Sequence, residues 1–312
     1  MLEFEDNYPL SKLTTLQIGG PAKKFVTVTT QEELIEAIKS AKSHQLPYLV
    51  IGEGSNLLVS DEEINKLIIQ NRIAAISHPR GVTLLVKSGT PLQNLVDYTI
   101  IHGLSGLQKL AGIPGTVGGA VYGNAGAYGQ SISDHINKVS ALNPDKLTIE
   151  QFSNPQCRFD YRDSIFKQNK YTLLEVTFKL ENGDPETLQQ EASEILSKRL
   201  VKYPPGIKCP GSFFKNIIAQ TLPKEILEKI PQEKIVYGKL PAGVLLETVG
   251  AKGQSIDGIQ ISPNHANLFI NQGTGTAQAF YNLAKEYAQK VKEKFNITLE
   301  PEVQLINLPP LI

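Results

Sequence analysis

The sequence predicts an α+β fold in two parts. Amphipathic helical stretches alternate with short β-rich runs through the first third, and an apolar glycine-rich stretch follows from Ala111 to Gly129. A turn signal at Glu181-Asn182-Gly183-Asp184-Pro185 then opens a half of different composition. A chain of 312 residues is also too long for one ordinary core.

The first predicted helix covers Gln31–Gln45, where Leu34, Ile35, Ile38 and Ala41 recur at helical spacing and bury one stripe. Strand-like runs come next at Tyr48–Ile51, Leu57–Val59, Leu67–Ile69 and Leu84–Val86. Pro91 suits the first turn of a second helix, which runs through Leu92, Leu95 and Val96 and stops near Gly103. Further strands are expected at Lys138–Leu142, Lys146–Phe152 and Tyr171–Leu180. Past the turn, a charged helix extends from Pro185 to about Val201 and ends at Pro204-Pro205-Gly206. An apolar helix around Val244–Val249, a strand at Asn267–Ile270, an amphipathic helix over Ala277–Phe295 and a strand near Val303–Ile306 complete the chain. The expected division is 1–183, itself split near 76/77, then 184–300, with 301–312 as a returning C-terminal segment.

Charge narrows the function. Thirty-one basic and thirty-one acidic residues cancel, and no Lys/Arg block supplies a basic face, so a nucleic-acid partner is not expected. No apolar run approaches membrane-span length, and Glu3, Glu5 and Asp6 give the start the wrong sign for a signal peptide. A cytoplasmic protein without membrane insertion is the expectation. The two cysteines, Cys157 and Cys209, form no CxxC pair and no His/Cys cluster, so neither a disulfide framework nor a metal site is expected.

Two glycine-bearing segments invite a ligand. In Ile51-Gly52-Glu53-Gly54-Ser55-Asn56-Leu57-Leu58-Val59, the glycines let backbone approach a ligand, and Ser55 and Asn56 offer hydrogen bonds. The second segment, Gly112-Ile113-Pro114-Gly115-Thr116-Val117-Gly118-Gly119-Ala120, continues to Asn124-Ala125-Gly126-Ala127-Tyr128-Gly129. Small residues entering a helix expose unpaired N–H groups, a nest suited to a pyrophosphate. Neither segment has the strand–GxGxxG–helix layout of a Rossmann fingerprint, and each alone also reads as a structural turn.

Three further residues can carry chemistry, although their types leave bland readings open. Arg162, between Asp160 and Asp163, suits either anion recognition or a surface ion pair. Ser212 in Gly211-Ser212-Phe213-Phe214-Lys215-Asn216 is a proton donor or a turn hydroxyl. Glu302 in Leu299-Glu300-Pro301-Glu302-Val303 is a catalytic acid or an edge charge.

Together these segments resemble the UDP-N-acetylenolpyruvoylglucosamine reductase family. The resemblance runs in order from about Thr14 to Glu302. It begins at Thr14-Thr15-Leu16-Gln17-Ile18-Gly19-Gly20-Pro21-Ala22 and includes both glycine segments, Phe159–Ser164, Gly211–Asn216, His265-Ala266-Asn267-Leu268-Phe269-Ile270-Asn271 and Leu299–Val303. It implies a two-lobed FAD-binding domain of the vanillyl-alcohol oxidase/p-cresol methylhydroxylase type, followed by a smaller α+β substrate-binding domain. It also implies NADPH-dependent reduction of UDP-N-acetylglucosamine enolpyruvate in peptidoglycan precursor synthesis, with hydride passing through FAD. Arg162, Ser212 and Glu302 match the family's catalytic motifs. Gly52, Gly54, Ser55, Asn56, Leu57, Ile113, Pro114, Gly115, Thr116, Gly118, Gly119, Ala120, Asn124, Ala125, Gly126 and Tyr128 match its cofactor loops. Lys215 and Asn216 are candidates for the UDP-sugar, and His265 for a structural partner.

None of the five histidines and neither cysteine lies in a glycine loop, so non-covalent FAD is expected. With no Rossmann domain for the nicotinamide, NADPH is expected to share the substrate's pocket on a monomeric enzyme. An oxidase of the same superfamily, or a flavin-binding regulator, stands as the alternative. Ile217, Gln304 and Glu53 occupy positions where the family commonly has other residue types.

Overall fold

A computed structural model describes residues 2–222, 224–227, 230 and 232–311. The chain packs as two compact units: Met1–Tyr8, Ala22–Glu53 and Asn65–Val201 form one, and Pro9–Pro21, Gly54–Ile64 and Lys202–Ile312 the other.

Among the described residues the first unit holds two larger sheets. One is four-stranded, in the order Glu5–Pro9, Pro21–Val28, Ile64–Asn71, Tyr48–Ile51, with the last two parallel. The helix Gln31–Ser43 lays Leu34, Ala37, Ile38 and Ala41 among Val26, Val28, Leu67 and Ile69. Its start is fixed by Thr30, whose hydroxyl accepts from the Glu33 N–H, while the Glu33 carboxylate accepts from the Thr30 N–H.

The other sheet is five-stranded and antiparallel, in the order Ile149–Ser153, Ile136–Leu142, Thr172–Lys179, Thr83–Lys87, Ile76–Arg80. The helices Leu92–Ile101 and Val117–Tyr122 share its core, as do Leu188, Ala192 and Ile195 of the helix Pro185–Lys202. The apolar stripe of that last helix lies in the first compact unit, which ends at Val201.

The second unit centres on Phe213, Phe214, Phe269 and Phe280, all fully buried and joined by ring contacts. Burying each such ring contributes about 1.5–3 kcal/mol, so this cluster anchors the Gly211–Asn216 segment through Phe213 and Phe214. Around it lie the sheet Ser255–Ile256, Ile259–Ile261, Phe269–Asn271 and the helix Ala277–Phe295. Thr276 caps that helix, and the Asp61 carboxylate accepts from the Ala277 and Gln278 N–H groups. The C-terminal strand Gln304–Ile306 pairs in parallel with Leu57–Val59, directly after the first glycine loop. Among the described residues, no helix is long and apolar enough to cross a membrane.

Candidate active site

Within the first unit the two glycine segments meet. A Cβ on Gly52 would stand 2.5 Å from Thr116 Oγ1, a distance only glycine permits. One residue on, the Glu53 carboxylate accepts from the Gly115 N–H at 3.1 Å. Thr116 caps the helix Val117–Tyr122, its hydroxyl accepting from the Gly119 N–H.

The expected nest of unpaired amides is not what this helix start contains. Val117 N–H donates to the Thr90 carbonyl at 2.8 Å and Gly118 N–H to the Ser88 carbonyl at 2.7 Å. Ser88 is itself buried, bonded to Asn71 and to the Leu173 carbonyl. These amides therefore fasten the helix to the sheet, and they leave shape rather than free donors as the cradle's main offering.

Gly119 is exposed, and a Cβ there would meet only Thr116 Oγ1, at 3.6 Å. Gly118, by contrast, is buried against Ser88, whose carbonyl oxygen would lie 2.9 Å from an added Cβ. The pair gives a clean test. Gly119→Val is expected to fold with parent-like thermal stability yet purify without flavin colour, whereas Gly118→Val is expected to lose stability through the clash with Ser88. A yellow Gly119→Val protein would place the cofactor cradle elsewhere.

The first loop continues into the second unit. Gly54, at φ +64°, turns against the Leu13 carbonyl, where an added Cβ would sit at 2.6 Å. Asn56 Nδ2 donates to the Glu302 carbonyl at 3.1 Å, and its own carbonyl accepts from Gln304 N–H at 3.0 Å. Asn56 thus holds the C-terminal segment. Leu57 is buried in the strand it begins, and Ser55 is half-buried near it in the loop. In the second loop Ile113, Ala125 and Tyr128 pack on the sheet core, Ala120 is buried in it, and Pro114 is exposed. Tyr128 and Gly129, at φ +52° and +81°, turn the short hairpin Gly126–Ala127/Gln130–Ser131.

Arg162 joins this second loop. Its Nη2 donates to the Gly126 carbonyl at 2.9 Å and its Nη1 to that of Asn124 at 3.4 Å. Asn124 Nδ2 in turn donates to the Asp160 carbonyl, and the buried Ser164 hydroxyl donates to the Tyr122 carbonyl. The carboxylates of Asp160 and Asp163 accept from the Tyr161 and Ser164 N–H groups. Those acids serve the turn, and the turn aims the arginine. Arg162 itself has φ +57°, a conformation costly to a non-glycine residue and concentrated at functional sites.

In the second unit, Ser212 and Glu302 lie on neighbouring segments. Ser212 bridges to Leu268 on one side, and Phe214 bridges to Pro301 on the other. Glu302 N–H donates to the Phe213 carbonyl at 2.7 Å, placing it across from the residue that follows Ser212. Asn267 clamps Phe214 at both main-chain groups, accepting from its N–H and donating to its carbonyl, each at 2.8 Å. Burial pushes the His265 imidazole down to about 4, with the nearby Lys202 charge adding to the effect, so it is neutral at pH 7. Its Nδ1 accepts from the Asn267 N–H, a structural role. The Lys215 ammonium pairs with Glu300 at 3.1 Å, and Asn216 Oδ1 accepts from the Ala242 N–H at 3.2 Å.

Two residues around Ser212 escaped the sequence reading. Lys202 Nζ stands 3.3 Å and Tyr203 Oη 3.2 Å from Ser212 Oγ. Their only signal was position, between the end of a long helix and the Gly-Ser turn.

Comparisons with known proteins agree with this geometry. Residues 204–306 match the family described as UDP-N-acetylenolpyruvoylglucosamine reductase, C-terminal domain, and residues 22–150 match an FAD binding domain. The UDP-N-acetylenolpyruvoylglucosamine reductase of Solibacter usitatus is 38% identical over 299 residues, covering 96% of this chain and 95% of that protein. The protein of that name from Clostridium botulinum strain Okra is 33% identical, covering 98% and 96%. The crystal structure of UDP-N-acetylenolpyruvylglucosamine reductase from Thermus caldophilus superposes with a TM-score of 0.76 at 30% identity, over 98% of this chain and 99% of that one. The α+β fold with an FAD-binding domain is thereby as the sequence led us to expect, and the chain belongs to the UDP-N-acetylenolpyruvoylglucosamine reductase family.

Proposed function

We propose that this chain reduces UDP-N-acetylglucosamine enolpyruvate to UDP-N-acetylmuramate with NADPH, in peptidoglycan precursor synthesis. The observation that carries the reading is the alignment of two motifs side by side. Glu302 N–H bonds the Phe213 carbonyl, and Phe214 bridges to Pro301, so a serine and an acid far apart in sequence lie on adjoining segments. Cofactor binding is assigned to residues 1–183 and substrate binding to residues 184–300, with 301–312 as a returning C-terminal segment that carries Glu302. NADPH shares the substrate's pocket in this reading, on a monomeric cytoplasmic enzyme. The oxidase and regulator alternatives are disfavoured, because near-full-length kinship is to reductases.

FAD, when bound, would supply hydride chemistry to the substrate, with NADPH as the reductant. Gly52, Gly54, Ser55, Asn56 and Leu57 of the first loop, and Ile113 to Ala120 with Asn124 to Tyr128 of the second, are assigned to hold it. Arg162 presents a planar fork to the substrate carboxylate, onto which negative charge moves as the enolpyruvyl double bond is reduced. Glu302, in its protonated form, donates a hydrogen bond to developing negative charge. Ser212 gives its hydroxyl proton to the ether-bearing carbon from one face, which fixes the configuration of the lactyl group. Lys215 and Asn216 are assigned to the nucleotide end, where Lys215 exchanges its Glu300 partner for phosphate.

The direct test is to purify the chain, record its flavin spectrum, reduce it with NADPH and ask whether the UDP-linked enolpyruvate restores the oxidised spectrum. Failure of that substrate to reoxidise the flavin would reject the proposal. A second expectation concerns attachment. Because no His or Cys lies in either loop, acid precipitation should leave the yellow colour in the supernatant, and colour retained in the pellet would restore the oxidase reading.

A further inference from the structure

Ser212 has two polar neighbours, and their chemistries differ. An ammonium group has only donors, so in the Lys202 contact at 3.3 Å the serine oxygen must accept. That contact stabilises negative charge on Ser212 Oγ. The Tyr203 hydroxyl, 3.2 Å from the same oxygen, can donate or accept. Both contacts are long for hydrogen bonds, as catalytic contacts often are before substrate closes them. Tyr203 and Ser212 are both half-buried, and Tyr203 is followed by the exposed Pro204, Pro205 and Gly206.

A serine that gives its proton to carbon is left as an alkoxide unless it is reloaded in the same step. His265 is a poor source: it is neutral, and its Nδ1 is taken by the Asn267 N–H. The buried Cys209 thiol is no better, since desolvation pushes it up. Beside the Lys202 ammonium, a proton donor of similar strength, stands the Tyr203 phenol, a far stronger acid than an aliphatic alcohol.

We propose that Tyr203 is the positioning and relay residue that returns a proton to Ser212. This rests on the reading of Ser212 as proton donor. The Ser212 O–H bond breaks as the C–H bond forms at the ether-bearing carbon of the substrate. The Tyr203 O–H bond breaks as the Ser212 O–H bond re-forms, with Lys202 holding the serine oxygen meanwhile. Water then reprotonates the Tyr203 oxygen, so each turnover consumes one solvent proton, and NADPH is the reductant.

The experiment uses the FAD-loaded enzyme in stopped flow. Reoxidation by the UDP-linked enolpyruvate is followed in mixtures of light and heavy water. Tyr203→Phe is expected to slow reoxidation about tenfold or more, while NADPH reduces the flavin at close to the parent rate. The parent's dependence on deuterium fraction is expected to be curved, as two moving protons require, and that of Tyr203→Phe to be straight. In a Ser212→Ala background, adding Tyr203→Phe is expected to change nothing, because a relay acts only through the serine. Reoxidation by Tyr203→Phe at the parent rate would overturn the relay. So would a slowed variant that keeps the curved dependence, or a further loss in the Ser212→Ala background. If Ser212→Ala itself reoxidised near the parent rate, the serine assignment would fall and the relay with it. A crippled Ser212→Ala beside a normal Tyr203→Phe would remove the relay alone.

Discussion

Ser212→Ala is expected to lose net turnover by about a hundredfold to ten-thousandfold, the usual contribution of a positioned general acid, while NADPH still bleaches the flavin. The two half-reactions separate the roles. Reduction by NADPH needs no proton at the lactyl carbon, so a missing hydroxyl should not touch it. Reoxidation by substrate does need that proton. Ser212→Cys should recover part of the activity, since a thiol also donates a proton from the same backbone position. The structure makes these variants readable. Phe213 and Phe214 are buried and clamped by Asn267 and by the Glu302 N–H, so the segment's backbone does not depend on the serine side chain. Turnover near the parent rate would make Ser212 a turn residue. Equal slowing of both half-reactions would do the same, because it would report a general disturbance and not a missing proton.

Regular elements were legible where periodicity was strong. The helix Ala277–Phe295 lies where its apolar spacing puts it, and so does the strand Tyr48–Ile51. The strands Glu5–Pro9 and Pro21–Val28 were missed for different reasons. The first is mostly exposed and has no apolar alternation, and the second carries Lys23 and Lys24 in mid-strand, where Lys24 pairs with Asp6 of its neighbour. The motifs that bear chemistry were visible as short strings, but their partners were not. Nothing near Gly118 in sequence announces that the Ser88 carbonyl takes its N–H, or that Glu53 reaches Gly115. Long-range bonds of this kind turned an expected amide nest into a fastened helix start. The carboxylates of the two acids flanking Arg162 accept from adjacent main-chain N–H groups, a use their sequence positions did not announce.

Arg162→Ala is expected to slow reoxidation by substrate about a hundredfold or more, as the loss of one preorganised charge contact in a catalytic site does, with a far smaller effect on reduction by NADPH. Arg162 is held at φ +57°, and its guanidinium braces the Gly126 and Asn124 carbonyls. An alanine there keeps the left-handed strain and loses the brace. Arg162→Gly removes the same side chain but tolerates that φ. If strain were the cause, glycine would restore much of the rate. If the missing fork is the cause, alanine and glycine should fail alike. Arg162→Lys keeps the charge without the bidentate geometry and should fall between them and the parent. Reoxidation within a few-fold of the parent for Arg162→Gly would leave the arginine as a brace for the second glycine loop. In that case flavin retention, not substrate reduction, would be the property its removal damages.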